Sequence, residues 1–173
     1  MNDYLKVADI ETIIKSIENE SKFFNNKKIA ISGAFGFLGK YILESLLLIK
    51  DRKNYNIDIY AIDNFITSNQ DLEKYYNQKE IKCINHDINN QINLDAEFDI
   101  VVCLAGIASP YYYNKYPIET LNVSINGLKN MFELNHNKET KFIFFSSSEI
   151  YGDPPTDQIP TKETYRGYVT SIG

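Results

Sequence analysis

The sequence predicts an α/β fold, a doubly wound parallel sheet with helices on both faces. Three observations carry this. Short apolar runs alternate with stretches of helical period between residues 28 and 146. A glycine-rich turn, Gly33-Ala34-Phe35-Gly36-Phe37-Leu38-Gly39, joins the first run to a long apolar helix candidate. Small or polar residues follow the runs at Ser32–Gly39, Asp63–Asn64, Asp87–Ile88, Ala105–Pro110 and Ser146–Gly152. Strands separated by helices imply parallel βαβ units with right-handed crossovers. Ligands in such a sheet bind beyond the carboxyl ends of the strands.

In chain order, residues 5–24 place Leu5, Ile10, Ile13, Ile14 and Ile17 at helical spacing, which predicts an amphipathic helix. Residues 1–25 are therefore an expected N-terminal helical extension, used for packing or an interface, and 26–173 the sheet domain. Strands are expected at 28–32, 58–62, 81–85, 99–104 and 141–146, with helices at 37–50, 70–78 and 117–135. Asp99–Leu104 and Lys141–Phe145 are near-continuous apolar runs, the pattern of buried central strands. Asn89-Asn90-Gln91 reads as a polar turn.

The glycine turn carries the first chemistry. Glycine is needed where φ is positive and where a Cβ would touch a pyrophosphate. The helix that follows offers free N–H groups and a partial positive charge. Asp63, at the end of the second strand, lies 24 residues after Gly39, where a carboxylate accepts the ribose hydroxyls of an adenine dinucleotide. An acid there repels a 2′-phosphate, which favours NAD over NADP.

Bulk properties narrow the class. The chain has 173 residues, enough for one domain with a real core, with 43% hydrophobic and 24% charged residues. Its net charge of −5, from 18 basic and 23 acidic residues, argues against a general nucleic-acid or anionic-membrane binder. The run Tyr41–Ile49 is too short to span a bilayer, and Met1-Asn2-Asp3-Tyr4 has no basic signal-peptide start. Cys83 and Cys103 sit in apolar runs and read as reduced packing residues. His86 and His136 are too isolated for a metal site. These features point to a cytoplasmic protein without a metal centre.

At these residues the chain resembles the extended short-chain dehydrogenase/reductase family of nucleotide-sugar epimerases, dehydratases and decarboxylases, whose fold is the Rossmann fold. Gly33-x-x-Gly36-x-x-Gly39 matches that family's cofactor turn, and the resemblance covers about residues 27–173. Within the family it is most similar to the UDP-glucuronate decarboxylases. Three stretches carry this: Asp63-Asn64-Phe65-Ile66-Thr67, Ala108-Ser109-Pro110 with Tyr113, and Ser147-Ser148-Glu149-Ile150-Tyr151-Gly152-Asp153-Pro154.

The resemblance implies a role for each matching residue. Gly33, Gly36, Phe37, Leu38 and Gly39 would hold the NAD diphosphate, with Asp63 and Asn64 at the adenosine ribose. Asp87 and Ile88 would lie along the adenine, and Leu104, Ala105 and Gly106 along the nicotinamide. Ala108 and Tyr113, with Ser147 and Ser148, would touch the sugar acid. Ser147 takes the position that hydrogen-bonds the sugar 4-hydroxyl. Ser148 and Glu149 take the Ser-Glu positions associated with decarboxylation, where dehydratases carry Asp-Glu. Asn122 would support the strand end. Two departures weaken the match: Ser68-Asn69 stands where a basic residue often follows, and Arg166 where a loop aromatic is usual.

The family's catalytic Tyr-x-x-x-Lys pair would lie shortly beyond Gly173, and the substrate-binding half beyond that. The chain is thus expected to be an N-terminal portion that binds NAD weakly and does not turn over substrate. Tyr111–Lys115 matches the pattern literally but lies after Ala108-Ser109-Pro110 rather than after the Ser147 strand, and reads as a decoy. The implied reaction is oxidation of UDP-glucuronate at C4, decarboxylation and re-reduction, in a homodimer built through helix 117–135. The alternatives are a 4-epimerase, a 4,6-dehydratase, or a non-catalytic NAD-binding module.

Overall fold

A computed structural model describes residues 7–69, 71–134 and 139–167, without the side chains of Leu72 and Tyr75. Leu5, His136 and the end of the expected helix 117–135 lie outside the described residues. Five parallel strands form one sheet in the order β3-β2-β1-β4-β5. They are β1 Lys27–Ser32, β2 Ile57–Asp63, β3 Lys82–Asn85, β4 Ile100–Cys103 and β5 Lys141–Phe144.

Alternation along the strands builds two cores. Ile29 and Ile31 pair in register with Ile59 and Ala61 on one side and with Ile100 and Val102 on the other. This face packs against α2 (Phe37–Lys53) through Leu43, Leu46, Leu47 and Ile49. Ala30, Ile62, Val101 and Cys103 point the other way and meet Ile88, Phe98, Val123 and Met131. The period of two in the strands thus sends successive residues into opposite layers. At the sheet's base Asp99 ties β1 to β4: its Oδ1 accepts from Lys27 Nζ and its Oδ2 from the Lys28 amide, both at 2.8 Å.

Three sequence expectations change. The amphipathic stretch 5–24 is not one helix: α1 spans Val7–Ser16, and a 3₁₀ turn follows at Ser21–Phe24. Ser16 and Ser21 donate to the carbonyls of Ile13 and Glu18, local bonds that compete with helix continuation. α1 docks on α2 by burying Ile10 and Ile14, with Arg52 of α2 paired to Glu11 and the Tyr41 hydroxyl donating to Asp9 at 3.1 Å.

The expected helix 117–135 is α5 (Pro117–Asn122), a π-helical turn (Val123–Gly127) and α6 (Leu128–Phe132), preceded by a separate α4 (Pro110–Lys115). Ser109-Pro110 was the available signal for α4, since proline suits the first helical position. The π turn had no such signal. A short α3 (Asp71–Asn77) lies between β2 and β3.

Lys141–Phe145 is not a buried central strand. β5 is the sheet edge among the described residues, and Ile143, Phe144 and Phe145 are 45%, 48% and 44% exposed. Phe142 meets the Phe132 ring edge-on at 5.2 Å. No helix among the described residues is long and apolar enough to cross a membrane.

Candidate functional site

The ends of β1 and β2 and the start of α2 meet in one place. Gly33 sits at φ +65°, and a Cβ there would lie 2.8 Å from the Ala105 backbone. A side chain would separate the glycine turn from Leu104–Ala105, the loop after β4. A Cβ on Gly39 would lie 2.4 Å from the carbonyl oxygens of Gly33 and Ala34, so only glycine lets α2 begin this close to the turn. Gly36 is the extended N-cap of α2 and brings no side-chain cap. The N–H groups of Phe37, Leu38 and Gly39 therefore open the helix without intrahelical partners. Their dipole end lies at the carboxyl end of β1, the position from which a helix start cradles a diphosphate.

Asp63 closes the β2 side. Its Oδ2 accepts from the Phe35 amide at 3.0 Å, and its Oδ1 from the Phe65 amide at 2.8 Å and the Ser68 hydroxyl at 3.1 Å. The carboxylate thereby grips the glycine turn itself. Phe35 is 1% exposed and stacks on Phe65 and Tyr76, with ring centroids 5.2 and 5.5 Å apart. Sequence reasoning placed Phe35 in the turn without seeing that its ring anchors it. Asn64 is exposed beside Asp63, and its side-chain oxygen accepts from the Ile66 amide at 3.1 Å.

Past β3, Asp87 Oδ1 accepts from the Asn89 amide at 3.0 Å, an Asx turn that fixes the loop. Ile88 is buried, its carbonyl takes the Asn130 side-chain amide at 2.7 Å, and a Cβ on Gly127 would lie 2.8 Å from its Cδ1. Gly127 and Asn130 thus hold the loop from below, and neither was singled out in the sequence. Beyond β4, the Leu104 amide donates to the Ser32 carbonyl at 3.2 Å, while Gly106 is exposed. Burial pushes the Cys103 thiol up, against a smaller opposing effect of Ser32. Burial, with Glu73 nearby, pushes Cys83 up to about 11.

The other group lies on the β4–β5 side. Ser147 is the extended N-cap of a 3₁₀ turn, Ser148–Tyr151, and its Oγ accepts from the Glu149 amide at 3.2 Å. This bond leaves the Ser147 hydroxyl proton to be given outward. Ser147, Ser148 and Glu149 are all exposed, and Glu149 lies in the turn's first residues. Ala108 is exposed just before α4, and Tyr113 on α4 is 40% exposed. Lys115 lies 5.0 Å over the Tyr116 ring. Strand adjacency brings the loops after β4 and β5 side by side, since Cys103 pairs with Phe144.

Comparison with known proteins finds similar chains. A family model described as the NAD dependent epimerase/dehydratase family matches residues 29–170. UDP-glucuronic acid decarboxylase 6 of Arabidopsis thaliana is 33% identical over 155 residues, covering 88% of this chain and 43% of that protein. UDP-glucuronic acid decarboxylase 1 of Danio rerio is 31% identical over 172 residues, covering 97% of this chain and 39% of that protein. The chain thus spans about two-fifths of the length of these relatives. Among solved structures, a UDP-N-acetylglucosamine 4-epimerase from Methanobrevibacter ruminantium M1, in complex with UDP-N-acetylmuramic acid, superposes with a TM-score of 0.65 at 25% identity. It matches over 83% of this chain and 44% of that one. A UDP-glucose-4-epimerase from Stenotrophomonas maltophila with bound NAD shares the fold at a TM-score of 0.64 and 15% identity, over 84% of this chain and 44% of that one.

Proposed function

The chain belongs to the NAD dependent epimerase/dehydratase family, and on that premise we propose that it is the NAD-binding portion of a nucleotide-sugar-modifying enzyme, most specifically a UDP-glucuronate decarboxylase. The observation that carries the reading is the glycine cradle at the head of α2 with Asp63 bonded across it. Its parts fit the dinucleotide: glycines that tolerate no Cβ, three uncapped amides for the diphosphate, and a carboxylate at the ribose position. When bound, NAD would supply a hydride acceptor and donor for sugar C4.

The protein's own share follows from the β5 side. Ser147, its lone pair already engaged by the Glu149 amide, would donate its proton toward the 4-oxygen and hold that oxygen in place. Ser148 and Glu149 would flank the sugar carboxylate, and Tyr113 with Ala108 the sugar ring. A 4-keto sugar acid loses carbon dioxide readily because its carbonyl accepts the electrons. The decarboxylases among the relatives favour this reaction. The epimerase neighbour at 25% identity supports C4 epimerisation as the second reading.

Ile118, Leu121 and Ile125 on α5 and the π turn are exposed, and they would supply the face of the proposed homodimer. Free thiols at Cys83 and Cys103 suit a reducing cytoplasm. Calorimetric titration of the purified chain with NAD, NADP and UDP-glucuronate tests the reading. Binding of NAD with little or none of NADP is expected. The absence of any heat from millimolar NAD with folded protein would overturn it.

A further inference from the structure

We propose that the Ser68 hydroxyl is a stand-in for a ribose hydroxyl: it occupies an acceptor position on Asp63 that the sugar takes over when the dinucleotide arrives. The inference rests on the reading of this cleft as a NAD site. A carboxylate offers about four lone-pair directions. The Phe35 amide takes one on Oδ2, and the Phe65 amide and Ser68 hydroxyl take two on Oδ1. A ribose diol brings two further O–H donors, one more than Asp63 has room for. One present donor must leave for the carboxylate to hold both hydroxyls.

The structure distinguishes which one. Phe35 and Phe65 donate through main-chain amides, and their rings are 1% and 8% exposed in a stack that Tyr76 completes. Withdrawing either amide would pull a buried ring out of that stack. Ser68 is half-buried and next to exposed Asn69, and its hydroxyl leaves by rotation about one side-chain bond. The exchange replaces one O–H···carboxylate bond with another, so it is nearly balanced in energy. Ser68 therefore keeps the Asp63 carboxylate bonded and competes mildly with the ligand for it.

The sign of a single substitution tests this. Ser68→Ala, Ser68→Thr and the unaltered chain would be titrated calorimetrically with NAD and with analogues lacking the adenosine 2′- or 3′-hydroxyl. Thermal unfolding would confirm that each variant is folded. Ser68→Ala is expected to bind NAD about three- to tenfold more tightly, the size of one competing hydrogen bond. Ser68→Thr should restore the original affinity, and the gain should vanish with at least one deoxy analogue. Equal or weaker NAD binding by Ser68→Ala, with the unaltered chain binding normally, would overturn the stand-in and leave the NAD site intact. Failure of all three proteins to bind NAD would overturn the site itself and the inference with it.

Discussion

The two ends of the sheet differ in how far they are built. On the β3–β2–β1 side, turn, carboxylate and aromatic stack close on one another: Asp63 holds the Phe35 amide, and the Phe35 ring is buried against Phe65 and Tyr76. On the β4–β5 side, Ser147, Ser148 and Glu149 stand exposed just past a strand end where Ile143, Phe144 and the following Phe145 are about half exposed. A diphosphate is bound by backbone amides and a helix end, which need only local chain to set them. Proton transfer and sugar recognition need water excluded around side chains from several elements. The first side thus carries the proposed dinucleotide site on a core that supports it, and the second the proposed catalytic groups, which stand exposed among the described residues.

The comparison breaks if equivalent truncations cost the same on both sides. Phe35→Ala removes a fully buried ring and should cost about 3–5 kcal/mol, with loss of NAD binding. Phe144→Ala, at 48% exposure, should cost under about 1 kcal/mol. Urea denaturation of the pair measures both. Two glycines give a second contrast. Gly39→Ala drives a methyl into the Gly33 and Ala34 carbonyls and should cost at least about 2 kcal/mol. The same change at Gly106 meets nothing within 4 Å and should leave the melting temperature unchanged within error. A destabilised Gly106→Ala would mean that the loop after β4 is more closely packed than its surroundings show.

What the residues disclosed follows the same division. The glycine turn, Asp63 and the strands β1, β2 and β4 were legible because each is specified within a few residues: glycines for close approach, short apolar runs for burial. β3 was legible to within a residue. What the sequence hid depends on distant contacts. Phe35 is an unspecified position of Gly33-x-x-Gly36, and nothing local shows that Tyr76, 41 residues on, stacks on its ring. Gly127 and Asn130 act on Ile88, about 40 residues away, through a π turn that leaves no mark in a helical pattern. The apolar run of β5 read as central because composition reports what a strand tolerates, not how many neighbours it has.

A smaller effect tests the seam between the two sides. Asp99 joins the start of β1 to β4. Burial opposes its charge, yet bonds from Lys27 and the Lys28 amide outweigh this and hold its carboxyl below the usual carboxylate range. A group with a depressed folded pKa stabilises above its unfolded pKa, and that contribution is lost as pH falls through the folded value. Asp99→Asn should therefore destabilise modestly at neutral pH and converge with the original chain in the acid range. Parallel stability curves from pH 7 down to strongly acid conditions would show that the pair contributes nothing.

The smallest expected effect on stability is the most informative about β5. Ile143 is 45% exposed on the edge strand, so Ile143→Lys should change unfolding free energy by no more than about 0.5 kcal/mol. A charged edge also resists pairing with another copy of the chain, since the open row of backbone groups is where strands add. Sedimentation at rising concentration should show less self-association for Ile143→Lys than for the unaltered protein. A large loss of stability would instead mean that β5 is covered in solution by a second chain, because burying an unpaired ammonium costs far more than an exposed exchange. Concentration dependence of the melting temperature separates these outcomes: a covered edge makes the unaltered chain more stable as concentration rises, whereas an open edge leaves stability flat while aggregation grows.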